Sequence, residues 1–276
     1  AEVIKKNTPT LDVAGRDAKT IQPQMTNLET FELSENGTGI VAKNIAKTMT
    51  DIQSYNGDTE AIKQMILRDT GAKAYGLSGG SIIDVTDKIQ LLDLKGLDAV
   101  ATNDLQEFHL TLTVPSNVSG TGSDLTSEVI VYVGNVAKVS TWDQLDAALM
   151  SNTVTIVDVQ NSMTNTVTNR TDRTVSDSRP NYVLLGNGYS LDFIGYSYRW
   201  GTNTSIVHKA VVDNVDMYGG HYYGPVTMWD RNAYGSSITY RNVNYTGSQV
   251  TASFQALLRF EGKNVIKSKA TSYTSY

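Results

Sequence analysis

Scattered carboxylates and cations are the residues of this sequence best suited to chemistry. Asp172, Asp177, Asp192, Asp213, Asp216 and Asp230 lie among Arg170, Arg173, Arg199 and Arg231. Clustered carboxylates can hold calcium against an acidic polysaccharide while an Arg or Lys removes a proton, which is the chemistry of a lyase. The spacing argues against that use. Asp213 and Asp216 are three apart, so on one strand they point to opposite faces, and loop Asp–Arg pairs are mostly solvated ion pairs. A Ser-His-Asp hydrolase has less support. The three histidines are His109, His208 and His221, no Gly-x-Ser-x-Gly elbow occurs, and His109 falls on the polar side of an alternating segment. Each His is expected to play a surface role. Gly76-Leu77-Ser78-Gly79-Gly80 reads as a turn because no helical pattern follows it. Cysteine is absent, which removes disulfides, zinc–cysteine sites and thiol nucleophiles. Nothing calls for a cofactor or a resident metal.

The aromatic residues suggest binding instead. Tyr218, His221, Tyr222, Tyr223, Trp229 and Arg231 fall within fourteen residues. Tyr and Trp supply rigid contact area with a polar tip, Arg completes such surfaces, and flat rings stack on sugar faces. Tyr196, Tyr198 and Trp200 alternate with Ser197 and Arg199 and so share one strand face, either an external platform or core. The candidate ligand-binding residues are therefore Tyr196, Tyr198, Trp200, Tyr222, Tyr223, Trp229 and Arg231. The expected partner is a glycan or another host or biofilm surface molecule.

Composition bounds these choices. Of 276 residues, 32 are Thr, 23 Ser and 20 Asn, while only 18% are charged and the net charge is −5. Such a chain cannot bind nucleic acid through bulk positive charge. No apolar run approaches the roughly 18 residues of a membrane-spanning helix. Abundant Thr, Ser and Asn without Cys fits an exported protein, and the start at Ala1 fits a processed or partial chain. Residues 1–135 carry 11 basic and 18 acidic side chains and 5 aromatics, against 12, 10 and 18 in residues 136–276. This shift predicts two domains, 33–135 and 136–276, after a leader or linker over 1–32 with a strand near Leu28–Leu33.

In the first domain Asp58 can cap a helix over 59–67, with Ile62, Met65 and Ile66 on one face and Gly71 closing it. Strand-like runs follow at Ile82–Val85, Ile89–Leu94, Phe108–Val114 and Val129–Val133, separated by Gly, Asn and Asp turns. These suggest a β-sandwich. Gly96-Leu97-Asp98-Ala99-Val100-Ala101-Thr102-Asn103, Glu107-Phe108-His109-Leu110-Thr111-Leu112-Thr113-Val114 and Val131-Tyr132-Val133 resemble the immunoglobulin-like modules of Gram-positive surface proteins. Glu107 stands where those modules carry Gly, and Phe108 where they carry Tyr.

In the second domain Ser140-Thr141-Trp142-Asp143-Gln144 offers overlapping capping boxes, and Leu145, Ala148 and Leu149 share one face of the helix that follows. A strand over Val154–Val159 comes next, then a polar loop from Asn161 to Pro180. Asn187-Gly188-Tyr189-Ser190-Leu191-Asp192 is echoed by Asn214-Val215-Asp216-Met217-Tyr218-Gly219, by Asn242-Val243-Asn244-Tyr245-Thr246-Gly247 and by Asn264-Val265-Ile266, at spacings of 27, 28 and 22. Alternating units of this length predict a solenoid of stacked strands, a right-handed parallel β-helix. The helix near 142–150 is expected to cover its first rung. Asn187, Asn214 and Asn242 are expected to form a structural column.

Val139-Ser140-Thr141-Trp142-Asp143-Gln144-Leu145-Asp146-Ala147-Ala148-Leu149, Leu185-Gly186-Asn187-Gly188-Tyr189-Ser190-Leu191-Asp192-Phe193, Tyr218-Gly219-Gly220-His221-Tyr222-Tyr223-Gly224-Pro225 and Asn242-Val243-Asn244-Tyr245-Thr246-Gly247-Ser248-Gln249 are similar to the pectate-lyase-like adhesive domains of Gram-positive cell-surface proteins. The resemblance spans roughly 139–268. It implies an all-β chain and a non-enzymatic adhesin, secreted or held at the cell wall. The alternatives are a calcium-dependent polysaccharide lyase and a structural spacer, the latter with a Lys–Asn isopeptide crosslink that would lower the mass by one ammonia.

Overall fold

The computed structural model describes residues 33–34, 37–175, 178–200, 206–228, 235–253 and 256–268, so the expected leader, 1–32, lies outside the described residues. Strands dominate and helices are few and short. The chain divides into two compact units, one ending at Gly134 and the other running from Asn135. Among the described residues no helix is long and apolar enough to cross a membrane.

The first unit runs β1 (Gly39–Val41), β2 (Ile45–Lys47), α1 (Met49–Gln53), α2 (Thr59–Asp69), β3 (Lys73–Ser78), β4 (Ser81–Asp84), β5 (Gln90–Leu91), β6 (Gln106–Val114), α3 (Ser116–Ser119) and β7 (Leu125–Val133). The Asp58 carboxylate accepts the Ala61 N–H at 3.0 Å, which satisfies an otherwise orphaned donor of α2. Ile62, Met65 and Ile66 are buried on its inner face. Leu110, Leu112 and Val114 alternate into the same core from β6. The antiparallel β6–β7 ladder runs from Gln106 opposite Val133 to Val114 opposite Leu125. β2 lies parallel to β7, so the sheet β2-β7-β6-β5 is mixed, and β1-β3-β4 forms a separate three-stranded sheet. α1 was not apparent from its apolar pattern; a Thr48–Asp51 capping box starts it.

The second unit opens with β8 (Val136–Val139) and α4 (Trp142–Met150). Thr141 accepts the Gln144 N–H at 3.4 Å, and the Gln144 side chain accepts the Ser140 N–H at 2.8 Å. Leu145, Ala148 and Leu149 are buried, as their shared face requires. Then come β9 (Ile156–Val159), β10 (Met163–Thr164), β11 (Thr171–Thr174), β12 (Asn181–Leu185), β13 (Ser190–Asp192), β14 (Tyr196–Trp200), β15 (Lys209–Gly219), β16 (Val226–Met228), β17 (Ser237–Gly247), β18 (Leu257–Glu261) and β19 (Val265–Ser268). The stretch read as a polar loop, 161–180, thus contains two short strands.

These strands pair in parallel, and their registers form columns. Val157, Leu184, Val212, Tyr240 and Phe260 are successive partners through β9, β12, β15, β17 and β18. Met163, Leu191, Met217, Tyr245 and Ile266 are successive partners through β10, β13, β15, β17 and β19. A further parallel sheet joins β11, β14 and β16. Alternation sends one residue in two to the core, and the core is a stack of like on like. Each side chain packs on its counterpart one layer away, so the apolar interior is continuous.

The Asn echoes mark the bends of the stack. Asn187, Asn214 and Asn242 adopt φ of 52°, 50° and 54°, left-handed values that Asn tolerates better than other L residues. The Asn187 amide donates to Asp158 Oδ1 at 2.5 Å and to the Val159 carbonyl at 2.8 Å. Asn242 Oδ1 accepts the Lys263 N–H, and Asn264 Oδ1 the Val243 N–H, each at 3.0 Å. Gly247 ends its echo because a Cβ there would lie 2.0 Å from the Gly219 carbonyl oxygen. Stacking leaves no room for a side chain.

α4 is tied to the stack by two arginines. The Arg179 guanidinium is buried and donates to the carbonyls of Ala148 and Val154 at 2.9 Å, and to that of Leu149. Arg173 pairs with Asp146, with Nε at 3.0 Å.

Candidate functional site

The parallel sheet β11-β14-β16 sets residues from distant parts of the chain side by side. In its register Thr171 faces Tyr196, Arg173 faces Tyr198, and Tyr198 faces Val226. Arg170 precedes β11, and His221, Tyr222 and Tyr223 form the turn before β16. Gly224 takes φ of +85° there and donates its N–H to the His221 carbonyl at 3.0 Å, closing the turn.

The turn presents two rings. Tyr222 is exposed at 45%, and Tyr223, half-buried, meets it edge to face at 4.8 Å between centroids. The Arg170 guanidinium carbon lies 5.1 Å from the Tyr223 centroid and 5.8 Å from that of Tyr222. A cation at that distance is attracted to the electron-rich ring faces. Behind them His221 is fully buried. Its Nδ1 accepts the Tyr223 N–H at 3.0 Å, so a neutral ring carries its proton on Nε2, 3.2 Å from Asp172 Oδ1. Arg199 Nη1 stands 3.9 Å from the other Asp172 oxygen. Burial, aided by Arg170 and Arg199 and opposed by Asp172, pushes the His221 pKa down to about 4. The imidazole is a fixed neutral strut under the tyrosines at neutral pH.

The other expected site residues separate. Tyr196 is half-buried between Trp142 and Tyr198, at 6.1 Å from each ring, with the Arg173 guanidinium 5.9 Å away. Tyr198 is fully buried and its hydroxyl donates to Asp146 at 2.7 Å; burial raises its pKa far above the ordinary phenol value. Of the two readings of that strand face, core holds for Tyr198. Trp200 lies on β14 opposite Met228, with its side chain outside the described residues. Trp229 and Arg231 lie outside the described residues altogether.

Three of the carboxylates considered for lyase chemistry sit in the wall. Asp192, Asp213 and Asp216 are at most 3% exposed. Asp192 accepts the Ile194 N–H at 2.9 Å, and Asp216 accepts from the Asn244 amide at 2.8 Å. Asp177 and Asp230 lie outside the described residues. Among the described residues no group of three or more His, Asp or Glu is placed to hold a metal ion. Two of the three histidines depart from the expected surface role, since His208 and His221 are buried, while His109 is exposed beside Glu128 at 2.9 Å. In sequence Arg170, Asp172 and Arg199 suggest only lyase groups. Extending the repeat spacing back into 161–180 would have placed them beside the tyrosine turn.

Residues 136–252 match the family model described as "Putative pectate lyase-like adhesive domain". Among solved structures, L. reuteri 53608 SRRP aligns at 19% identity, covering 47% of this chain and 43% of that one, with a TM-score of 0.36. No curated protein matches. The second unit is thus similar to an adhesive domain family across most of its length.

Proposed function

We propose that the chain is a non-enzymatic adhesin module of a Gram-positive cell surface, and that its second unit is a right-handed parallel β-helix carrying a glycan-binding patch. Arg170, Tyr222 and Tyr223 form that patch, with Asp172, Arg199 and His221 beneath. The observation that supports it best is the exposed Tyr222 ring and the half-buried Tyr223 ring under one guanidinium, on a turn fixed from below by a buried imidazole. Rigid rings lose little freedom on binding and offer flat faces to a sugar. The match of residues 136–252 to an adhesive domain family agrees with this reading.

A glycan-array screen of the wild-type chain beside Tyr222→Ala tests it. Wild type should bind a discrete set of glycans, and the variant should lose about tenfold or more in affinity for all of them, the cost of a truncated hot spot. Equal binding by both would discard the patch. Formation of unsaturated products from polygalacturonate with calcium would end the non-enzymatic reading.

A further inference from the structure

The dipeptide Asn–Gly occurs twice within the described residues, and both copies fold alike. Asn56 and Gly57 take φ of 51° and 78°, and Asn187 and Gly188 take 52° and 81°. Each pair forms the centre of a tight turn, the conformation this dipeptide favours. The Asp58 N–H closes the first turn on the Tyr55 carbonyl at 2.9 Å, and the Tyr189 N–H closes the second on the Gly186 carbonyl at 2.9 Å. Sequence and local backbone therefore match, and only the surroundings differ.

Asn187 is half-buried and Gly188 is buried. The Asn187 amide is held by Asp158 and by the Val159 carbonyl, and the Gly188 N–H donates to the Asn214 carbonyl at 2.8 Å. Asn56 and Gly57 are both exposed. Neither the Asn56 amide nor the Gly57 N–H has a hydrogen-bond partner among the described residues. A Cβ built on Gly57 would meet nothing within 4 Å, so the turn is open on that side as well.

We propose that Asn56 is a modification site, at which water replaces the side-chain ammonia by way of a cyclic imide, while the stack keeps Asn187 intact. Solvent base takes the Gly57 amide proton, and that nitrogen attacks Asn56 Cγ. The new C–N bond closes the imide as the bond from Cγ to Nδ2 breaks and ammonia leaves. Water then adds to either imide carbonyl and opens the ring to aspartate or isoaspartate. Glycine favours the attack because it has no Cβ to block the approach. Isoaspartate carries the chain through its side-chain carbon, which lengthens the turn that sets Asp58, the cap of α2.

Incubation of the full chain at mildly alkaline pH, followed by peptide mapping with mass spectrometry, reads each Asn–Gly separately. Asn56 should convert to a mixture of aspartate and isoaspartate about tenfold or more faster than Asn187, whose hydrogen bonds must open first. In concentrated urea the two should convert at similar rates, because the dipeptide is the same and the stack is gone. Asn56→Gln must close a larger ring and should abolish conversion at that position. An Asn56 that stays unconverted, an Asn187 that keeps pace with it in the folded chain, or an Asn187 that stays intact in urea each overturns the proposal.

Discussion

The two ends of the stacked unit solve the same problem in opposite ways. A pile of parallel strands must finish in two layers that each have only one neighbour. At the first end the chain places a helix there, and Leu145 and Leu149 are fully buried against the columns. The helix carbonyls of Ala148 and Leu149 accept from the Arg179 guanidinium, which also lies 4.8 Å from the Tyr182 ring. At the last end the columns run out with Leu258, Phe260 and Ile266 still part-exposed. One end is sealed by the chain itself. At the other, among the described residues, these three column side chains stay part-exposed.

Loss of Arg179 should break this contrast most severely. Arg179→Ala removes the guanidinium hydrogen bonds to three backbone carbonyls in a buried site together with a packed side chain, at a cost of about 4 kcal/mol. Thermal or urea unfolding checks it, and a loss below about 1 kcal/mol would mean that the helix is not held this way. Next come two truncations in adjoining columns. Leu184→Ala, fully buried, should cost about 3 kcal/mol through the cavity it leaves. Leu258→Ala, already part-exposed, should cost about 1 kcal/mol in dilute solution. Equal losses would show the last layer to be as covered as the first.

Asn214→Ala puts an alanine at φ of 50° and should cost about 1–2 kcal/mol, while Asn214→Gly should recover most of it. Matching losses from both substitutions would show that the amide, and not the backbone, sets this residue. The response to acid is a separate effect. His221 has a folded pKa of about 4 against an ordinary value of 6.5. The unfolded chain therefore binds a proton first, and stability falls as pH drops from 6.5 toward 4, then levels off. Asp172, Arg170 and Arg199 face this ring, and Asp172 alone opposes the shift. His221→Asn should flatten that segment of the stability–pH curve; an unchanged slope would place the proton uptake elsewhere.

Local patterns carried much of the architecture in the sequence. The capping residues of α2 and α4 and the alternation of β6 are short-range signals, and the structure forms those elements where the residues point. The Asn–Gly echoes were legible for a related reason: each bend needs a left-handed residue, and each layer repeats the need. What was not legible depended on register across layers. Residues 161–180 looked like loop because β11 shows Thr, Asp and Arg and has almost no apolar pattern of its own. Its place is set by pairing with β14, 25 residues away from Thr171 to Tyr196. For the same reason Arg170 and Arg199 could not be seen to approach the tyrosine turn. Alternation put Tyr196, Tyr198 and Trp200 on one face but could not say which face turned inward; packing against Phe193 and Tyr196 decides it for Tyr198. Burial of His221 was hidden too, because its neighbours Tyr222 and Tyr223 suggest an exposed segment.

The central functional claim is that side chains from different layers act as one binding surface, and a double-mutant cycle tests it most directly. Arg170→Ala, Tyr222→Ala and the double variant are titrated by calorimetry against the best glycan of the array screen. The account predicts non-additive losses, with a coupling of about 0.5 kcal/mol or more between residues 52 positions apart. Strictly additive losses, or no loss from either single variant, would contradict it.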